Sequence, residues 1–189
     1  SGISAGSRLG FRGTEALGNG LQAVFTLEAG VQSDTGRSDQ AGQLFGRQAF
    51  VGIDSPLGML TVGRQYNLQS QALTDVADPF KGGMAGSASN LAGYSVKRYD
   101  NTVKYVTPAL RGVTASAIYS FGESPYSSAN NRAYGATLGY SSGAVNVSVS
   151  HQRKNNFILA SGTLPAIDMS ARNTLIAANI DLKVATAFA

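Results

Sequence analysis

Arg8 and Arg12 bracket the segment Arg8-Leu9-Gly10-Phe11-Arg12, with Leu9 and Phe11 at the alternate positions. On an extended chain successive side chains point to opposite faces, so the two guanidiniums share one face and the two apolar groups the other. Lys104 stands in the same relation to its neighbours Val103 and Tyr105. Arg64 departs from this rule, because it shares its period-two face with Leu60, Val62 and Tyr66. A guanidinium stays charged at any physiological pH and presents a rigid fork of donors. Residues of this kind on one face of a strand suit the attraction and orientation of anions.

The sequence offers little to a catalyst. His151 is the single histidine and cysteine is absent, so no zinc site is expected and no other metal or cofactor is implied. A Ser-His-Asp triad cannot be argued, since the Ser-rich stretch Ser124–Ser128 has no base nearby in sequence. Asp75 and Asp78 could be weighed as a hydrolytic carboxylate pair, but nothing else in the chain favours that chemistry. Gly10-Phe11-Arg12-Gly13 is no phosphate loop, because no helix follows it. The chain reads as a non-enzyme. Its net charge of +4 is spread along the sequence without an aromatic-basic motif, so no nucleic-acid partner is expected.

The same alternation that places Arg8 and Arg12 runs through the whole chain. Val145, Val147 and Val149 alternate with Asn146, Ser148 and Ser150, and Leu21, Ala23, Phe25 and Leu27 alternate with Gln22, Val24, Thr26 and Glu28. Strands are expected over about Ser7–Glu15, Leu21–Ser33, Gln43–Asp54, Met59–Tyr66, Asn101–Thr107, Val113–Phe121, Arg132–Ser141, Ala144–Arg153 and Ala171–Ile180, with a tenth beginning at Val184–Phe188. Most have the roughly 9–11 residues that a tilted strand needs to cross a bilayer. Mean hydropathy is −0.04, and no window approaches the roughly 18 apolar residues of a spanning helix. An alternating membrane strand cancels in such an average.

Connections between these strands are short and long by turns. Ala16–Gly20, Ser55–Gly58, Pro108–Gly112, Ser142–Gly143 and Asp181–Lys183 are short; Asp34–Gly42, Asn67–Asp100, Gly122–Asn131 and Lys154–Ser170 are long. Strict alternation of this kind, with one apolar and one wet face, predicts an all-β, antiparallel up-and-down transmembrane barrel. The stretch Asn67–Asp100 shows no strand pattern, and a loop of that length in a compact domain is usually functional. The start at Ser1-Gly2-Ile3-Ser4 has no secretory leader pattern, so the chain reads as mature, truncated or cytosolic.

Several segments together resemble the Gram-negative general porins, and most closely the branch found in Burkholderia-like and Neisseria-like bacteria. They are Ser7-Arg8-Leu9-Gly10-Phe11-Arg12-Gly13-Thr14-Glu15, Gly46-Arg47-Gln48-Ala49-Phe50-Val51-Gly52, Leu60-Thr61-Val62-Gly63-Arg64-Gln65-Tyr66 and Arg98-Tyr99-Asp100-Asn101-Thr102-Val103-Lys104-Tyr105. The resemblance spans the chain as one porin domain, residues 1–189. It implies a homotrimer of sixteen-stranded barrels in the outer membrane, in contact with lipid and lipopolysaccharide. Only nine or ten strands are present, so the chain is expected to be incomplete.

The resemblance also implies a function: passive diffusion of small hydrophilic solutes and ions through a water-filled channel. Residues 67–100 match the loop that folds into the lumen and narrows it. Its Asp78-Pro79-Phe80-Lys81-Gly82-Gly83 departs from the family tip, since Phe80 stands where an acid is usual, leaving Asp75 and Asp78 as the carboxylates beside Lys81. Arg8, Arg47 and Arg98 match the basic wall facing that loop, and parity adds Arg12 and Lys104. An excess of cations there implies anion preference. Arg64 matches a subunit contact, where Asp34 or Asp39 of a neighbouring subunit could pair with it; a bulge that resets the parity would turn it to the lumen instead. The tyrosines, among them Tyr99, Tyr105, Tyr119, Tyr134 and Tyr140, suit either a sugar slide or an interfacial girdle, and the position of several near strand ends favours the girdle. A sugar- or organic-anion-selective channel and a surface β-protein or adhesin are the alternative readings.

Overall fold

A computed structural model describes residues 5–84, 86–88, 96–123, 130–158 and 167–189. The Ser-rich stretch at 124–128 lies outside them, as do residues 1–4 and part of the expected constriction loop at 67–100. Ten strands form one sheet in which each pairs with its sequence neighbour: β1 (Arg8–Gly18), β2 (Leu21–Gly30), β3 (Gln48–Ser55), β4 (Gly58–Tyr66), β5 (Arg98–Val106), β6 (Val113–Ser120), β7 (Ala133–Ser142), β8 (Val145–Lys154), β11 (Ala171–Asp181) and β12 (Thr186–Phe188). All these pairings are antiparallel, and β1 and β12 are the open edges. The fold is the all-β, up-and-down type that the alternation predicts. A short hairpin, β9 (Phe157–Ile158) with β10 (Ile167–Asp168), stands apart on the connection from β8 to β11.

Burial is inverted relative to a soluble sheet. Leu9, Phe11, Val51, Leu138 and Ile176 are exposed, whereas Thr61, Gln65, Thr102, Ser148, Ser150 and Gln152 are buried. The polar face is covered because the chain between β4 and β5 lies against it. That stretch is not structureless, as the sequence suggests, but opens with helix α1 (Leu68–Ala72) and continues as a π-helical turn, Leu73–Ala77. Helix α1 contacts β6, β7, β8 and β11. Leu68, Ala72 and Leu73 bury there among Ile118, Ala133 and Ala177, so most of the buried apolar side chains among the described residues join the inserted segment to the wall.

Strand ends shift where the backbone turns. β3 starts at Gln48 rather than Gln43, because Gln40 and Ala41 adopt φ of 54° and 57° in a tight turn. β5 starts at Arg98 rather than Asn101, through a bulge: Gly63 pairs with Thr102, but Gln65 pairs with Tyr99, and Asn101 has φ of 50°. This is the bulge that the parity of Arg64 called into question, and it lies in the strand opposite.

If the apolar face lies in hydrocarbon, a charge in its middle is costly. Changing Leu138, which is exposed on that face, to Arg is expected to destabilise the full-length protein in lipid vesicles by about 2–4 kcal/mol. Urea titration of folding into those vesicles measures it. The same change at the polar Thr137 should cost much less.

Candidate functional site

The inserted segment is closed at its base by one side chain. Asn67 caps α1, accepting from Ser70 N at 2.7 Å, and donates through Nδ2 to Val96 O at 2.6 Å. Its backbone N–H also bonds Lys97 O at 3.0 Å, so both ends of the excursion meet there. Farther along, Asn179 of β11 donates to Val76 O at 2.8 Å, and Lys104 Nζ lies 3.4 Å from Gln71 Oε1. These contacts hold the segment across the polar face.

Asp78 organises the tip. Its carboxylate accepts from Phe80 N at 2.9 Å, Gly82 N at 2.8 Å and Ser87 Oγ at 2.9 Å. Burial opposes its charge, but these donors outweigh it and hold the carboxyl below its ordinary 3.8. Asp78 is therefore turned into its own loop and is not a free carboxylate on the cavity, as the sequence allows it to be. Asp75 is the acid that faces the space; burial raises its pKa and Lys81 pulls it back.

Between the segment and the wall lies a cavity of about 780 Å³. Arg8, Arg47 and Arg98 line one side, with Asp75, Phe80 and Lys81 on the other. The three arginines that the family resemblance picks out thus come together, opposite the loop residues it picks out. Arg12, two periods further along β1, is not among the lining residues, and Lys104 sits beneath α1 instead. Lys97, missed in the sequence, also lines the space, giving, among the described residues, five basic residues against the single acid Asp75.

Two further residues escaped the sequence reading. Glu28 forms an ion pair with Arg47 Nε. The Tyr66 hydroxyl accepts from Arg47 Nη2 at 2.7 Å and Arg98 Nη2 at 2.5 Å, while the Arg98 guanidinium lies 4.3 Å from the Tyr66 ring centroid. One phenol thereby holds two like charges side by side, by hydrogen bond and by cation–π contact. Glu28 was legible as the acid on the polar face of β2. Nothing in the sequence marks Tyr66, whose role depends on Arg47, just ahead of β3, and on Arg98 of β5.

Arg64 is matched within its own chain. Its Nη1 donates to Asp100 Oδ1 at 2.6 Å and its Nε to Gly46 O at 2.8 Å. Asp39 accepts from Gln32 at 3.0 Å, and Asp34 is exposed in the same loop. A subunit latch through Arg64 would therefore add to an existing ion pair.

The family profile described as Gram-negative porin matches residues 1–189. An outer membrane porin protein of Bordetella pertussis is 40% identical over 169 residues, covering 82% of this chain and 44% of that protein. Outer membrane porin protein 32 of Delftia acidovorans is 36% identical over 124 residues, covering 62% of the chain and 35% of the relative. In structure, the anion-selective porin from Comamonas acidovorans superposes with a TM-score of 0.79 at 28% identity, covering 97% of this chain and 56% of that one. The chain spans about half the length of the proteins it matches.

The lowered pKa of Asp78 sets a pH dependence. Its contribution to the loop is complete above the ordinary carboxyl value of 3.8 and is lost as the pH falls through the lowered folded value. Pepsin cleavage of the segment in the full-length protein should therefore rise at the acid end, relative to an Asp78→Asn variant. That variant is expected to be cut faster wherever Asp78 is ionised, to lack the acid step, and to be matched by the wild type only at the acid end.

Proposed function

The chain belongs to the Gram-negative porin family, and on that premise we propose that it forms part of the wall and the constriction of an outer-membrane diffusion channel that prefers anions. In the longer protein, the remaining strands close the sheet, because an open edge has no hydrogen-bond partners in hydrocarbon. The polar face then lines water and the apolar face meets lipid and, in a homotrimer, the neighbouring subunits. An apolar groove formed by Phe25, Val51, Ile53 and Leu60 on the outer wall of β2–β4 supports that subunit contact. The channel passes small hydrophilic solutes without a chemical step.

One observation carries the anion preference: five basic residues and one acid line the cavity between loop and wall. Counting Glu28 against Arg47 still leaves three positive charges in excess. Phe80, standing on the loop side, adds none of the negative charge that would balance them. Arg8, Arg47 and Arg98 attract anions into the narrow passage, where low-dielectric walls concentrate their field. Tyr66 and Glu28 keep Arg47 and Arg98 in place, so the field is fixed before an ion arrives. The anion-selective character stated for the Comamonas porin is consistent with this reading.

Reversal potentials of the full-length protein in planar bilayers under a salt gradient test the proposal. Anion preference is expected. A unit charge about 8 Å from the ion's path contributes about 0.5 kcal/mol in bulk water, so Arg98→Gln should reduce the preference about twofold. A cation-preferring wild type would refute the assignment.

A further inference from the structure

The cavity between the inserted segment and the wall is not polar on every side. Phe80 and Met84 of the segment both line it, and both are exposed. The same segment buries Leu68, Ala72 and Leu73, so two large apolar groups left facing the water path need a reason that ion conduction does not supply. The Phe80 ring is backed by Gly86, where an added Cβ would stand 2.8 Å from its Cε2. The ring therefore rests on bare backbone. Among the described residues it takes part in no ring–ring or cation–π contact; those present are Tyr119 with Phe121, Arg98 with Tyr66 and Lys154 with Tyr99. What Gly86 does not cover is left to the cavity.

Across from these groups the arginines differ in what they have free. Arg47 is committed to Glu28. Arg8 belongs to no ion pair among the described residues, and Arg98 keeps a buried Nε without a hydrogen-bond partner. The space thus has open cationic donors on one side and an aromatic ring with a thioether on the other. Its volume of about 780 Å³ falls among those of small-molecule sites, about 300–1,000 Å³. An inorganic anion would touch the cationic side alone. A carboxylate carrying a flat apolar body would use both sides. Its oxygens match a guanidinium fork, its ring can stack offset or edge-on against Phe80, and the Met84 sulfur suits contact with a ring edge.

We propose that this constriction recognises aromatic carboxylates, monoanions of the benzoate type, and that Phe80 sets the preference for them over polar anions of equal charge. The carboxylate meets Arg8 and Arg98, and the ring lies between Phe80 and Met84. This rests on the reading of the chain as part of an anion-preferring channel. Binding is weak, because a permeating solute must leave as readily as it enters.

Block of the sodium chloride current through the full-length protein in planar bilayers provides the test. Two probes of equal charge and similar size are compared: benzoate, and the trihydroxy acid threonate. Benzoate should half-block the wild type at a concentration about threefold to tenfold below that of threonate. Phe80→Ser should abolish the difference between the probes, and Phe80→Tyr should keep it. Arg8→Gln should raise both half-blocking concentrations together, which separates the charge from the ring. Chloride conduction by each variant shows that it is assembled. Equal block by the two probes in the wild type, no block by benzoate, or a difference that survives Phe80→Ser would each overturn the assignment. The reversal potential in sodium chloride is read in the same bilayers. An anion-preferring wild type without the benzoate preference removes the aromatic site alone, whereas a cation-preferring wild type removes the channel reading beneath it.

Discussion

Every strand in this sheet is bonded to its sequence neighbours, and that backbone continuity is the constraint from which the rest follows. Antiparallel pairing of consecutive strands fixes two faces, and a period of two assigns each side chain to one of them. A slip of one residue in any register would exchange the faces of a whole strand. The registers hold Leu138, Val149 and Ile176 in one row, and Thr137 and Ser150 in the adjacent row on the other face. A sheet that keeps its polar side chains covered and its apolar ones exposed is unstable in water and at home in a membrane.

The inserted segment completes the structure by covering the polar face from inside. It needs specific polar anchors, because hydrophobic burial alone would not fix its position on a wall of Ser, Thr and Gln. Asn67 closes its base, Asp78 shapes its tip and Asn179 ties its middle to β11. Once the segment is placed, the ends of β3, β4 and β5 bring Arg47, Tyr66 and Arg98 opposite it. The charge cluster is thus a consequence of where three strands end and of one phenol able to accept from two guanidiniums.

Much of this was legible in the sequence, for physical reasons that also explain the rest. β6, β7, β8 and β11 lie within a residue or so of their expected spans, because alternation and turn residues are local signals. The starts of β3 and β5 were displaced by residues with positive φ, Gln40, Ala41 and Asn101, which composition does not announce. Helix α1 was hidden because it is only five residues long and its amphipathic match is to a wall distant in sequence. Arg8, Arg47 and Arg98 were found by resemblance, and parity alone would not have placed Arg47 or Arg98. Arg12 shares the face of Arg8 but not the cavity, since parity fixes the face and not the depth. Glu28, Tyr66 and Lys97 depend on partners from other strands or on the loop base, and a one-dimensional reading does not see such pairs.

The central claim is that one face of this sheet lines water and the other does not. Residues 1–189 contain no cysteine, so single cysteines introduced along β1 of the full-length protein report on it directly. A membrane-impermeant, negatively charged thiol reagent should modify Arg8→Cys and Arg12→Cys and lower the channel's conductance, while Leu9→Cys and Phe11→Cys remain unmodified. Equal reactivity at all four positions, or reaction at Leu9→Cys and Phe11→Cys with sparing of the other two, would contradict the account.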